Sequence, residues 1–340
     1  MKRKLLAATL GVLAAGEAQA QSSVTIFGIL DVNARLVRNA GVGSLKTLSQ
    51  DGIASSRIGF RGDEDLGGGL RAGFWIEGAL QPDTGNAGGQ NWQRRSTVQL
   101  RSAAGELRIG RDYTPTFYGW AYFDPFGVVG LGGSNNVIST LGTSGATLAR
   151  SSNSIGYYTP PTLGDFYVQG MVAAGEGAVP SNKYLGARGG YQSKTLHVAA
   201  SRSTTEANAT GDKFVVSTGG ASYDFGPITA MGYVLRESFM ARSQTNWSVG
   251  FTAPVGVGLV RAVYIKANAQ GGGTDANDAD LLGLGYVYYL SKRTALYAEA
   301  ARLSNKGVSA FSLPGGPAVT VANFGGHTSS GASVGVMHTF

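Results

Sequence analysis

The chain reads as an all-β protein, a closed antiparallel barrel of about 16 strands that crosses a membrane, and three observations point there. Apolar and polar residues alternate at period two in segment after segment of the 340 residues. Glycine is abundant at 53 residues and proline scarce at 10, with 15 tyrosines and 14 phenylalanines, which suits short strands and tight turns better than helices. Mean hydropathy is -0.01, and past the N-terminus no run approaches the roughly 20 apolar residues that a membrane helix needs.

In chain order, residues 1–20 form an export signal. Lys2, Arg3 and Lys4 are a basic start, residues 5–15 a short apolar stretch, and Ala18-Gln19-Ala20 a small-x-small cleavage site. The mature barrel is then expected over residues 21–340. Loss of Lys2, Arg3, Lys4 and Glu17 lowers the formal charge from +7 to +5. The remaining basic residues alternate with apolar ones and form no run, which argues against nucleic acid as a partner. There is no cysteine, so disulfides and thiolate chemistry are excluded.

Residues 55–78, SSRIGFRGDEDLGGGLRAGFWIEG, set the pattern for the rest. Ile58 and Phe60 leave one face of the first arm, and Arg57, Gly59 and Arg61 the other. In the second arm Leu70, Ala72, Phe74 and Ile76 oppose Arg71, Gly73, Trp75 and Glu77. A hairpin that is oily on one face and charged on the other needs an apolar medium beside water. A soluble sandwich or a lipid-bound barrel can supply that.

Similar segments follow at residues 92–101, 106–112, 154–160, 165–174, 184–191, 195–202, 214–224, 228–237, 246–253, 259–266, 280–290, 294–303 and 333–340; one more is expected at 24–36, and the arms of the hairpin itself at 53–61 and 70–79. Apolar rows such as Phe166/Val168/Val172, Trp247/Val249/Phe251, Leu282/Leu284/Tyr286/Tyr288 and Val334/Val336 are flanked by aromatic residues. That is the pattern of a lipid belt with aromatic girdles, and it favours the barrel. Short connections at 67–69, 103–105, 225–227 and 291–293 are expected as periplasmic turns, and longer ones at 39–52, 82–91, 270–279 and 305–332 as external loops. Residues 113–153 form a longer connection still, with little strand pattern, and a loop of that length usually has a task.

The segments GFRGDEDLGGGLRAGFWIEG, RRSTVQL, GELRIGRD, NSIGYYTP and GYVYYLSKRTALYA, with a last strand ending in His338-Thr339-Phe340, resemble the Gram-negative general porins of the outer membrane, most of all their anion-selective branch. The resemblance spans residues 21–340 in strand order. It implies a 16-stranded barrel with a long loop folded inward to constrict the pore. It also implies a homotrimer and passive diffusion of small hydrophilic solutes, with small anions as permeants and no cofactor. Outer-membrane lipid, lipopolysaccharide and the barrel-assembly machinery are the implied partners, and terminal Phe340 resembles the assembly signal.

The lumen can be argued from charge. A Lys or Arg facing lipid at mid-membrane costs about 2–4 kcal/mol, while one facing water costs little, so Arg57, Arg61, Arg71 and Glu77 belong in the lumen or at its rims. Val98 and Leu100 on the lipid face send Arg95 inward and leave Arg94 off the row. The resemblance nevertheless implies that Arg94 and Arg95 both serve at the constriction, through a bulge or strand end at Arg94. It adds Arg111 and Arg150 and matches Glu77 to a lumen carboxylate, with Asp112 and Asp124 as further acids opposing the arginines. Guanidinium groups keep their charge across the physiological range, so an anion preference built on them does not titrate.

Other classes find less in the residues. His197, His327 and His338 sit in no metal-ligand or HExxH spacing, no GxSxG elbow occurs, and Gly67-Gly68-Gly69 lacks the lysine of a phosphate loop. The chain is therefore not expected to be an enzyme or to bind a metal. A channel specific for a dicarboxylate, phosphate or sugar is the alternative, with Trp75, Tyr113, Tyr118, Trp120 and Tyr122 as the aromatic residues a sugar slide would need. An adhesin or structural barrel, or an outer-membrane hydrolase, ranks below it.

Overall fold

The computed structural model describes residues 23–86, 91–177 and 183–340. The expected export signal, residues 1–20, lies outside the described residues. Among the described residues seventeen strand segments make one sheet: β1 (Ser23–Asn39), β2 (Gly43–Gln50), β3 (Arg57–Gly67), β4 (Leu70–Ala79), β5 (Arg95–Ser102), β6 (Gly105–Tyr113), β7 (Arg150–Tyr158), β8 (Phe166–Ala173), β9 (Tyr184–Gln192), β10 (Leu196–Glu206), β11 (Lys213–Asp224), β12 (Thr229–Phe239), β13 (Arg242–Val255), β14 (Gly258–Gln270), β15 (Ala279–Tyr289), β16 (Thr294–Asn305) and β17 (Thr328–Thr339). Each pairs antiparallel with its neighbours, and β1 pairs with β17 to close the barrel. Closure leaves no free edge whose backbone groups would meet lipid unpaired.

The wall has sixteen positions rather than seventeen. β2 pairs with Val32–Asn39 and β3 with Ser23–Ile29, both along β1, so the two lie end to end as one interrupted strand. Two expectations are corrected here. Residues 39–52 are not an external loop, because a three-residue turn at 40–42 leads directly into β2, and the strand expected over 53–61 starts only at Arg57. The sequence GSLKTLSQ carries too little alternation to announce a strand; β1 supplies its backbone partners.

Side-chain alternation sorts the two faces as lipid and water require. Val98, Leu100, Ile109, Trp247, Leu282 and Val334 are exposed on the outer wall, while Arg95, Thr97 and Gln99, at alternate positions of β5, are buried inside. Gly67, Gly68 and Gly69 all take positive φ (82°, 61° and 80°) in the tight turn between β3 and β4, a conformation that residues with a Cβ rarely adopt.

The long connection between β6 and β7 lies inside the barrel. It opens with helix α1 (Pro115–Ala121), where Pro115 needs no N–H partner and Thr114 Oγ1 accepts the Phe117 N–H at 3.1 Å. From α1 onward Trp120, Phe123, Phe126, Leu131 and Val137 are buried against Phe214, Leu235, Val263, Ile265, Leu281 and Leu303 on the inner faces of β11, β12, β14, β15 and β16. Five such side chains contribute on the order of 10 kcal/mol, an upper value because the unfolded chain also buries some apolar surface.

Polar ties hold the same loop. Gln244 Nε2 and Asn246 Nδ2 donate to Val137 O at 2.7 and 3.2 Å, and the Leu131 N–H donates to Glu299 at 3.1 Å. Glu299 in turn pairs with Arg261, whose guanidinium covers the Phe126 ring at 4.3 Å. A Cβ on Gly130, which sits at φ 71°, would fall on the Gly52 carbonyl, so only glycine lets the loop approach the strand break. One side of the lumen is thereby filled with apolar packing, and the open path is displaced toward β3–β7.

Candidate pore constriction

The break between β2 and β3 is a built structure. Asp31 of β1 accepts the N–H groups of Gly52, Ile53 and Ala54 at 3.1, 2.8 and 2.9 Å, as well as the Tyr297 hydroxyl. The Asp31 N–H donates to Ser56 Oγ at 3.0 Å, and the Ser56 N–H donates to Asp51 at 2.7 Å. One buried carboxylate thus satisfies the backbone groups that the missing ladder leaves free. The break gives residues 53–55 a place on the lumen wall, and Arg57 follows immediately as the first residue of β3.

Arg57, Arg94 and Arg150 line a cavity of about 410 Å³ between this wall and the inserted loop, and no carboxylate is among its lining residues. Glu77 sits behind the arginines, nearly buried. It accepts Arg94 Nε at 2.6 Å, Arg57 Nη1 at 3.5 Å and the Trp75 indole N–H at 3.1 Å. Tyr113 Oη accepts both Arg94 Nη2 at 3.0 Å and Arg150 Nη2 at 2.5 Å, and Arg150 also lies 4.2 Å above the Tyr113 ring. Three guanidinium groups are therefore fixed around one carboxylate and one phenol.

A strand end, rather than a bulge, turns Arg94 inward. β5 begins at Arg95, so Arg94 precedes the alternation; its N–H donates to Glu77 O at 3.1 Å while its side chain folds down onto the Glu77 carboxylate. Arg150 occupies the matching position at the start of β7, where its Nε donates to Arg94 O at 2.8 Å. The two residues hold each other in place.

Arg95 also points inward but is locked into the wall. It pairs with Asp112 at 3.5 Å, donates to Thr97 and Gln99 at 3.1 Å each, and stacks on Trp75 at 4.6 Å. Asp112 meets Arg108 as well, at 3.3 Å, and Arg108 takes Glu106 at 2.6 Å and the Tyr158 ring at 3.8 Å. Arg61 lies over Phe27 and Trp75 at 5.5 and 5.2 Å, and Arg71 is exposed beside the β3–β4 turn, so both stand away from the narrow passage.

Two expected residues go elsewhere. Arg111 shares the outward row with Leu107 and Ile109, and a register shift between Gly110 and Asp112 does not bring it round; it donates to Gln93 O at 2.6 Å and Ser152 Oγ at 2.8 Å. Asp124 does not oppose the arginines. Its carboxylate turns into the loop and accepts the N–H groups of Phe126, Val128 and Ser134 at 2.8, 3.2 and 2.9 Å. Burial pushes that carboxyl above the usual carboxylate range, while these N–H donors act in the opposite direction. Phe340 pairs through its backbone with Gly28 at 3.1 Å in both directions, and its ring covers the outer side of that glycine at the seam of the barrel.

The sequence reading missed Arg101, Arg108 and Arg188, all inward-facing. The parity that places Arg95 inside also reaches Arg101, and Arg108 alternates with Leu107 and Ile109, so both were legible. The surroundings of Arg188, by contrast, are set by the loop that meets it and carry no local signal.

The family model for Gram-negative porins matches residues 7–308. Outer membrane porin protein 32 of Delftia acidovorans is 38% identical over 359 aligned residues, covering 100% of both chains. An outer membrane porin protein of Bordetella pertussis is 30% identical over 90% of this chain and 95% of its own. Among solved structures, the anion-selective porin from Comamonas acidovorans superposes with a TM-score of 0.86 at 35% identity, over 94% of this chain and 100% of that one. OmpF of Salmonella typhi superposes at 0.69 with 16% identity, over 93% and 97% of the two chains, a likeness of fold alone.

Proposed function

The chain belongs to the Gram-negative porin family, and from that membership we propose that its lumen passes small anions in preference to cations. It is an outer-membrane porin, a channel and not an enzyme. One observation carries the preference: Arg57, Arg94 and Arg150 line the passage while the neighbouring carboxylate, Glu77, is drawn back beneath them. A mobile anion then meets fixed positive charge at short range. At about 0.15 M salt the Debye length is roughly 8 Å, which leaves such charges incompletely screened across a narrow passage with low-dielectric walls.

Three arginines on one bank, with the apolar loop on the other, raise the local concentration of anions and lower that of cations before any specific contact forms. The wall pairs Arg95–Asp112 and Arg108–Glu106 are close to neutral and serve mainly to hold the bank rigid. The inserted loop narrows the path by filling the lumen beside β10–β16. Protein reconstituted in a planar lipid bilayer under a potassium chloride gradient tests the proposal. The expected reversal potential has the sign of chloride permeation; the sign of potassium permeation would overturn it.

The likeness to outer-membrane porins supports three further elements. We infer cleavage after Ala20, checked by N-terminal sequencing of the mature protein. We infer a homotrimer in contact with outer-membrane lipid and lipopolysaccharide, checked by the mass of the detergent-solubilised complex. Phe340 as the mark read by the barrel-assembly machinery is supported by its place at the closing seam. Deleting it is expected to lower the amount of barrel inserted in cells.

A further inference from the structure

Beside the arginines the passage is lined with aromatic rings. Tyr113, Tyr118 and Tyr122 all line the passage. The Tyr113 and Tyr118 rings lie 5.6 Å apart, and Tyr118 stacks on Tyr122 at 5.3 Å with 14° between planes. Tyr122 lies 5.7 Å from His197, which is 5.9 Å from Tyr167. Two arginines flank this series. Arg150 covers Tyr113, and Arg188 lies 5.1, 5.2 and 4.7 Å from the rings of Tyr118, Tyr122 and Tyr167.

Arg188, unlike Arg57, Arg94 and Arg95, has no acid within ion-pair distance among the described residues. It is 8% exposed, and its Nε and Nη1 meet no acceptor among the described residues. A buried cation without a counter-charge is costly, and ring faces offset that cost only in part. Burial raises the Tyr118 phenol above its ordinary value, so this ring adds no negative charge to the lane.

We propose that the passage is a binding lane for aromatic carboxylates, with the solute ring on Tyr118 and Tyr122 and its carboxylate handed from Arg150 to Arg188. This rests on the anion-preferring reading and names a solute class for it. An inorganic anion would use the guanidinium groups but not the rings. A neutral sugar would use the rings but leave Arg188 without a counter-charge. A flat aromatic acid uses both, since offset stacking and a charge-assisted hydrogen bond are satisfied together.

Block of chloride current across reconstituted channels tests this, with benzoate as probe. Cyclohexanecarboxylate is the control of equal charge and similar size without a π face, and glucose is the neutral control. Benzoate is expected to half-block at a concentration about two- to ten-fold below that of cyclohexanecarboxylate, the range that one aromatic pair provides. Tyr122→Leu should bring the two acids together, and Arg188→Gln should weaken block by both. Equal block by the two acids in the unaltered protein, glucose block matching that of benzoate, or a ratio that persists in Tyr122→Leu would overturn the proposal. The first comparison needs no variant to fold. A potassium preference in the salt gradient overturns both readings, whereas a chloride preference with equal block by the two acids overturns this one alone.

Discussion

Replacing Arg57 by glutamate should cut the anion preference about tenfold without unfolding the barrel. Arg57 is the least committed of the three lining arginines; its side chain is 24% exposed and its contact with Glu77 is a long 3.5 Å. An ion on the axis passes on the order of 6 Å from the guanidinium, where one charge in water is worth roughly 0.7 kcal/mol by Coulomb's law. Screening at about 0.15 M leaves roughly half of that. Arg57→Glu changes the fixed charge by two units, so each ion's energy moves by roughly 0.7 kcal/mol, about threefold in local concentration. Anions fall threefold while cations rise threefold, and the permeability ratio drops by about ninefold, more where low-dielectric walls weaken screening. Reversal potential in a potassium chloride gradient is the assay, with far-UV circular dichroism and heat-modified gel mobility as folding controls. A folded Arg57→Glu channel with the reversal potential of the unaltered protein would refute the field argument. Arg95→Glu is a different perturbation, because it sets a second carboxylate against buried Asp112 and removes the nearer of the two guanidinium groups over Trp75. It should cost about 3–5 kcal/mol of stability, the usual penalty for breaking a buried pair.

The other expectations are simpler to state. Glu77→Gln removes the acid beneath Arg57 and Arg94, so the chloride-to-potassium ratio should rise about threefold, half the change in fixed charge worked above; a fall would show that Glu77 does not neutralise the ring. Arg111→Gln, on the outer row, should leave the reversal potential almost unchanged, and a shift as large as that of Arg57→Glu would place this side chain in the lumen after all. Asp124→Ala strips three backbone N–H groups of their acceptor at about 1–3 kcal/mol for each group left unsatisfied. Single-channel records should then show a larger and noisier conductance from a loosened loop, and an unaltered trace would mean that apolar packing alone holds it. Between about pH 5 and pH 9 the selectivity should stay flat, because guanidinium groups titrate far above that range; a fall centred near pH 6.5 would point to a histidine instead.

How much of this was legible in the residues depends on how local the cause was. Period-two alternation settled which face each side chain takes, because lipid on one side and water on the other leave a strand few alternatives. Val98 and Leu100 outside with Arg95 inside follow from that rule, and so does Glu77 in the lumen. Arg111 is found on the outer row with Leu107 and Ile109, whereas the resemblance counts it among the constriction arginines. The short turn at Gly67-Gly68-Gly69 and the terminal seam strand were likewise written in the local sequence.

Contacts between distant segments were not. GSLKTLSQ has too little alternation to mark a strand by itself, and β2 forms because β1 offers it a ladder. Arg94 turns inward because β5 starts one residue later and Glu77 waits on the neighbouring strand. Asp124 looked like a lumen acid, yet its own loop closes around it. Arg188 acquires its meaning only when α1 lays Tyr118 and the following Tyr122 beside it. Alternation fixes the side of the wall at the cost of a solvent mismatch, a one-body energy that each residue carries by itself. Which charges meet, and which stay unpaired, are pair energies between segments far apart in the chain, and these exist only once the barrel has closed and the loop has folded in.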